Sequence, residues 1–493
     1  MKAGRTLGSS ESTGGASGAE IARERWTTGI GAHMIGVFLW VAYFDQLARR
    51  TLLVGGLGWS LAGLLAAGLT CFLLFYLVPA TWGVRARRPL VELASSTFGS
   101  GGARWVPGAL MALAQVAWFA VSIWYGVTFT LGGLADLGLI APRDLAPLES
   151  RGVRVESPLF LVVSLVWSAA VALTATYLSG VIAALNRIFP IFPALMLGLA
   201  MMVTLGGLAG FRAPGPGGVD AAWSAGWLTF GAMIQLTCSY FATAGAASAD
   251  WGAASRDARD VRVGGLVGVV VAPVVLGTIA LLTVAGSLGG DELDRSFGPP
   301  SALAEPGLPP AADPPVDPTY RAAIRRGIGG RSGGVVLVVL GLAALAPGCF
   351  AALTVGRRLV ELSSVGSRVT WTLAGAGAAW PLVATGAASH VEPIFGGVGA
   401  AFAAVLGALA ADFARQRGRW PGPRVGVNLA GMIGWALGFA AGLVPVVLAE
   451  IRGDPPRPWV LVAFAVAFLA HALVAAIAGE PAVVDAGALP SGP

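Results

Sequence analysis

The stretch AQVAWFAVSIWYG, residues 114–126, decides how the chain is read. It sits inside an apolar run over 108–133, longer than the roughly 20 residues a helix needs to cross a bilayer. Yet it places Gln115, Trp118, Ser122, Trp124 and Tyr125 within hardly more than about three helical turns. Trp124 and Tyr125 also suit anchors at the lipid interface. So many polar and aromatic groups in one greasy helix raise the question of what they face.

Working outward, the same kind of run recurs along the chain, with twelve cores near 29–47, 57–79, 108–133, 158–177, 184–208, 224–246, 263–288, 334–355, 370–388, 394–411, 426–448 and 459–478. With 56% hydrophobic and 12% charged residues and a mean hydropathy of +0.75, the chain lies outside the range of soluble domains. No alternating strand pattern is present, and backbone groups in lipid must be satisfied within their own segment. The reading is an all-α integral membrane protein of about 12 transmembrane helices.

Residues 1–25 are rich in Gly and Ser, are charged and lack an apolar core, so they read as a disordered cytoplasmic tail. Residues 26–450 read as a ten-helix core plus an eleventh helix, with an external loop over 289–333 whose prolines and charges oppose helix packing. Residues 451–493 read as the last helix and a short cytoplasmic tail. With the N-terminus inside, 19 basic residues fall on the inner side and 13 on the outer, five of these in the long loop. The positive-inside rule then puts both termini in the cytoplasm, in the plasma (inner) membrane. A pI near 9.7 follows from those loops and needs no nucleic acid as partner. Cys71, Cys238 and Cys349 have no paired spacing and read as small core residues, with no metal site.

Ten runs split into two groups of five would start from opposite sides, an inverted repeat with two helices added. The first members of the groups are TTGIGAHMIGVFLWVAYFDQ (27–46) and TFGAMIQLTCSYFATAGAASAD (229–250). Both mix small and polar residues in mid-run, which marks helices that break at a midplane site or helices that pack closely. Pro190, Pro193 and Pro347 lie inside runs and allow bends, whether hinges or static kinks.

Three blocks resemble the nucleobase-cation symporter family, which includes cytosine permeases and hydantoin and allantoin transporters. RARRPLVELASSTFGSGGARWVPGALMALAQVAWFAV (85–121) has the basic loop, the Phe-Gly, the Trp-x-Pro and a Gln115-Val116-Ala117-Trp118-Phe119-Ala120 core. SYFATAGAASADWGAASRDARD (239–260) matches the end of span six, and GGVGAAFAAVLGALAADFARQRGRW (396–420) the end of span ten. The resemblance implies a leucine-transporter-type 5+5 inverted repeat plus two C-terminal helices, and a monomeric secondary transporter that imports a small planar heterocycle such as cytosine, a purine or a related pyrimidine. By position it implies Trp118 as a stacking platform, Phe241 as the lid on the opposite face of the ring, and Ser122, Gln115 and Gly245 among the substrate-lining residues. It thus answers the question raised by 114–126.

Departures from the family pattern are concentrated in span eight. Ala346-Pro347-Gly348-Cys349-Phe350 stands where cytosine permeases carry Thr, Asn and Asp, and 334–353 contains no Ser or Thr. The hydroxyls of the family's sodium site are missing, so the expected coupling ion is a proton rather than sodium, with no other cofactor.

Ionisable residues within spans are expensive and functional by default. Asp45 suits a coupling proton or a cationic amine, or ends span one at the outer interface beside Arg49 and Arg50. His33 titrates near neutral pH or is a packed imidazole; twelve positions from Asp45, it meets that residue only if the helix breaks. Tyr43 and Gln46 are candidate polar contacts to substrate, and Gln235 is polar in mid-run or interhelical glue. Asp250, Arg256 and Asp412 read as a cytoplasmic gate. The competing functions are the same fold carrying a cationic amine through Asp45, and a non-transporting sensor. No His-Glu-x-x-His, no mid-span aspartate pair and no Walker loop supports a membrane-embedded enzyme or an ATP-driven pump.

Overall fold

The computed structural model describes residues 23–150, 153–177, 190–213, 219–297, 317–363 and 365–484. Most of the tail 1–25, residues 184–189 of the fifth run with Arg187, the middle of the 289–333 loop and residues 485–493 lie outside the described residues.

Each of the twelve apolar runs corresponds to a helical span. Nine helices among the described residues are long and apolar enough to cross a membrane: Leu52–Ala86, Leu90–Asp136, Pro158–Tyr177, Ile191–Gly210, Ala258–Gly290, Gly330–Leu362, Val391–Arg415, Leu429–Arg452 and Trp459–Ile477. These are spans two to five, seven, eight and ten to twelve. The other three differ for physical reasons. Span nine, Arg368–Ala384, is only 17 residues long; span six, Val219–Ala254, carries Thr229, Gln235, Thr237, Ser239 and Thr243 in its run. Span one is cut into Ile30–Phe38 and Val41–Phe44. A two-stranded hairpin, Leu148–Ser150 against Val153–Val155, joins spans three and four.

Apolar side chains such as Val166, Leu199 and Met202 stand on the outside of the bundle, where lipid replaces water as the solvent. The interior is built around span ten, whose Phe395, Phe402, Val405 and Leu409 are buried. Span eight breaks at Ala344, just before Pro347. Span six does not break: its helix runs continuously through 229–250, so its small residues serve packing. A Cβ on Gly252 would lie 2.3 Å from the Ala80 carbonyl oxygen, and one on Gly83 2.2 Å from that of Ala249. Spans two and six therefore meet backbone to backbone, which only glycine permits there. The described part of the 289–333 loop also departs from expectation: span seven continues to Phe297, and Tyr320–Gly327 is a short helix.

Both described termini lie on one face of the bundle. Glu24 bridges to Ser255 between spans six and seven, and Val483 bridges to Arg424 between spans ten and eleven. This is called the terminal face below.

Candidate functional site

The break in span one sets the site. Leu39 and Trp40 leave the helix, Trp40 with extended backbone angles (φ −72°, ψ 127°). The Val37 carbonyl loses an ordinary helical partner there and instead accepts the Tyr240 hydroxyl at 2.6 Å. Span six thus satisfies the backbone that the break exposes, and the break brings Trp40 against span three.

Trp118 is the centre of the resulting aromatic cluster. Its ring lies 5.1 Å from Trp40, 5.3 Å from Tyr240 and 5.0 Å from Phe395, centroid to centroid. Its indole N–H donates to the Thr243 hydroxyl at 3.2 Å. Tyr43 stacks on Tyr240 at 4.8 Å and shares a hydrogen bond with Thr237. Thr237, Tyr240 and Thr243 recur every three residues, which places them on one side of span six. Phe241, the expected lid, is turned to Phe38, on which it stacks at 5.6 Å; the span-six ring on Trp118 is Tyr240. One residue along a helix is a rotation of about 100°, so neighbouring aromatics face different partners.

The remaining expected lining residues are spread around this centre. Ser122 donates to the Trp118 carbonyl at 2.9 Å, and a Cβ on Gly348 would lie 3.5 Å from Ser122 Cβ, so spans three and eight touch at this level. Gln115 reaches only the Met111 sulfur, at 3.7 Å. Gly245 faces span two, where a Cβ would lie 3.0 Å from the Phe75 carbonyl oxygen. Cys71 and Cys238, without paired spacing in sequence, have sulfurs 3.5 Å apart between spans two and six. Sequence reasoning missed Trp40, Tyr240, Thr243 and Phe395. Aromatic residues beside a predicted helix break were the available signal for the first two.

A small cavity of about 60 Å³ opens on the face opposite the termini. Gln46, Arg50, Gln235, Ser239, Glu392 and Phe395 line it. Phe395 lines it and packs against Trp118 and Tyr240. Gln46 donates to the Tyr125 hydroxyl at 2.6 Å, and Gln235 accepts the Val460 N–H and donates to Ser239. Arg50 reaches Glu392 at 2.6 Å and Glu450 at 3.6 Å beside the opening.

Asp45 is 2% exposed, not at a solvated interface beside Arg49 and Arg50. Its carboxylate accepts the Arg321 N–H at 2.9 Å, in the first turn of the Tyr320–Gly327 helix. A carboxylate there answers both a free N–H and the positive end of the helix dipole. Phe44 packs edge-on against Tyr320, and Arg325 pairs with Asp136 at 2.8 Å. Asp45 therefore ties span one to the loop helix. His33 does not approach it: it is exposed towards the terminal face and stacks on Trp251 at 5.5 Å.

The terminal face is closed by ion pairs and backbone contacts. Asp250 accepts from Leu90 N–H at 2.7 Å and from Arg358 at 2.9 Å. Arg87 donates to the carbonyls of Ala253, Ser255 and Arg256, while Arg256 pairs with Asp260 at 3.1 Å. Asp257 caps the next helix through the Asp260 N–H, and that bond lowers its pKa. Asp412 accepts from Ser96 at 2.8 Å and Thr97 at 2.9 Å, with Arg424 at 3.4 Å. Asp412, His471 and Glu480 each bring one atom of metal-ligating type within 4.8 Å of the others. Ser96, Thr97 and the Arg424 guanidinium hold Asp412, and Arg424 also holds one Glu480 oxygen; the positive guanidinium amid these groups suits the set poorly to a cation.

No family model matches the chain, and no curated protein matches it. Solved structures do. A closed, bromovinylhydantoin-bound structure of Mhp1, a nucleobase-cation-symport-1 family transporter, is 14% identical, with 95% of this chain and 97% of that chain covered and a TM-score of 0.63. The inward-facing conformation of Mhp1 is 15% identical, with 95% and 96% covered and a TM-score of 0.65. MhsT in complex with L-phenylalanine is 18% identical, with 93% and 100% covered and a TM-score of 0.52. These likenesses show the fold: a leucine-transporter-type arrangement of two inverted groups of five helices plus two more, in a multi-pass membrane protein.

Proposed function

We propose that the chain is a secondary transporter that imports a small planar heterocycle, such as cytosine, a purine or a related pyrimidine, by alternating access. The observation that carries this reading is Trp118, set beside the break in span one and packed against Phe395, which lines the cavity. A flat ring that parts Phe395 and Tyr240 from Trp118 gains a stacking face worth ~1–3 kcal/mol. The buried indole N–H of Trp40 has no hydrogen-bond partner among the described residues, and Thr243 adds a hydroxyl; these offer the edge contacts that span eight lacks. Phe241 remains a lid candidate for a state in which span six has turned, and Ser122, Gln115, Tyr43 and Gln46 remain candidate lining residues.

In this reading the terminal face is cytoplasmic, Asp250, Arg256 and Asp412 belong to the closed inner gate, and the protein works as a monomer in the inner membrane. Coupling is to a proton, with Asp45 and His33 as its candidates; Asp45 would link protonation to the loop helix it holds. The geometry does not favour a cationic amine at Asp45, whose carboxylate already serves the Arg321 N–H.

The test is equilibrium binding of radiolabelled cytosine, adenine, uracil, hydroxymethylpyrimidine and a hydantoin to purified protein. Saturable binding of one ring, weakened in Trp118→Ala, supports the reading. Binding of a ring that is indifferent to Trp118 removes the proposed platform.

A further inference from the structure

A buried charged cluster on the terminal face includes one member from outside the spans. Arg424 is its hub, 2% exposed. Its backbone pairs with the start of span three, Arg424 N–H to Ser95 carbonyl and Ser100 N–H to Arg424 carbonyl. Its guanidinium donates to the Ser96 carbonyl, to Asp412 and, at 2.7 Å, to Glu480. Glu480 lies beyond the last span, in a segment whose backbone also clasps the loop between spans ten and eleven. Val425 N–H donates to Ala482 carbonyl at 3.2 Å and Val484 N–H to Pro423 carbonyl at 2.9 Å.

Charge and hydrogen-bond balance distinguish Glu480 from the rest. Asp412 and Arg424 already form a neutral buried pair with their own donors and acceptors. Glu480 is the second carboxylate on Arg424, 2.7 Å away, with the part-exposed Arg415 at 3.9 Å. One Glu480 oxygen has no partner, and it faces His471 at 3.8 Å, itself fully buried with both ring nitrogens unpartnered. Buried polar atoms left unpaired oppose closure, while the strong bond to Arg424 favours it. Glu480 thus joins the cluster from outside the spans, while Asp412 keeps Ser96 and Thr97 as donors without it.

We propose that the segment from Glu480 to Val484 is a detachable latch that holds the span-ten to span-eleven loop down on the start of span three. Closed, it holds Arg424 and its loop over Ser95, Ser96 and Asp412; released, it lets that loop lift and uncover Ser95. The inference stands on this geometry. It needs the transport reading only for its consequence, that release precedes opening of the terminal face.

The experiment uses the full chain with Cys71, Cys238 and Cys349 replaced by alanine and Ser95→Cys as the probe, labelled with a water-soluble maleimide. Glu480→Gln removes the charge, and Val484→Pro removes an N–H from the clasp. If the segment is a latch, labelling in either variant speeds up about tenfold or more while the protein stays monodisperse. Unchanged labelling in both variants overturns the proposal. So does loss of folded protein in both, because a detachable segment is not required for folding. Labelling needs no substrate, so a failure of the transport reading leaves this result readable.

Discussion

Trp118 is hemmed by three rings and tied by its N–H to Thr243, so its orientation is set before any ligand arrives. Removing the ring with Trp118→Ala should lower affinity for the bound heterocycle about five- to 150-fold, the equivalent of ~1–3 kcal/mol. Trp118→Phe keeps a stacking face and loses only the bond to Thr243, so it should fall between the two in the same binding assay. Asp45 belongs to a different system. Asp45→Ala takes a capping acceptor from the loop helix, a change typically worth about 0.5–2 kcal/mol, whereas Asp45→Asn keeps an acceptor and loses only charge. Hydrogen exchange over 317–328 should therefore quicken strongly in Asp45→Ala and weakly in Asp45→Asn. Trp118 was legible in the sequence because a polar and aromatic face within an apolar run is a local pattern. The partner was not: Tyr240 and Phe241 are adjacent, and which of them faces Trp118 depends on the rotation of span six about its axis, which no local pattern encodes.

At the scale of elements, twelve spans were legible because a run of about 20 apolar residues is sufficient for a helix in lipid. Breaks were legible only in part. Spans one and six share the same mixture of small and polar residues, yet span one breaks and span six is continuous. The difference lies in partners distant in sequence: Tyr240 takes up the freed Val37 carbonyl, whereas the small residues of span six meet the backbone of span two. Tyr240→Phe leaves that carbonyl without its hydroxyl donor and should cost about 1 kcal/mol of stability, seen as a lower thermal midpoint in detergent. Gly83→Val should be far more damaging. Its side chain would enter the Ala249 carbonyl, and little monodisperse protein is expected from size-exclusion chromatography. Gly348, beside Ser122, explains how span eight approaches span three without the amides and hydroxyls of the resembled family.

Over the whole molecule, contacts on the terminal face join the ends of spans two, three, six, eight and ten, and a pocket there is lined by Arg85, Arg417 and Trp420. The opposite face holds a cavity beside the Arg50 to Glu392 pair. In the transport reading, substrate enters from the side of the Arg50 cavity. Arg50→Gln should leave the fold intact and alter the rate of entry, read as a changed initial uptake velocity at unchanged thermal stability. The most direct measurement is uptake of radiolabelled cytosine, adenine, uracil and hydroxymethylpyrimidine into proteoliposomes, with proton and sodium gradients imposed separately, for wild type and Trp118→Ala. The expected result is accumulation of one ring that follows the proton gradient and is lost in Trp118→Ala. Absence of uptake of every ring under both gradients, or uptake unchanged by Trp118→Ala, would contradict a transporter built around this stacking site.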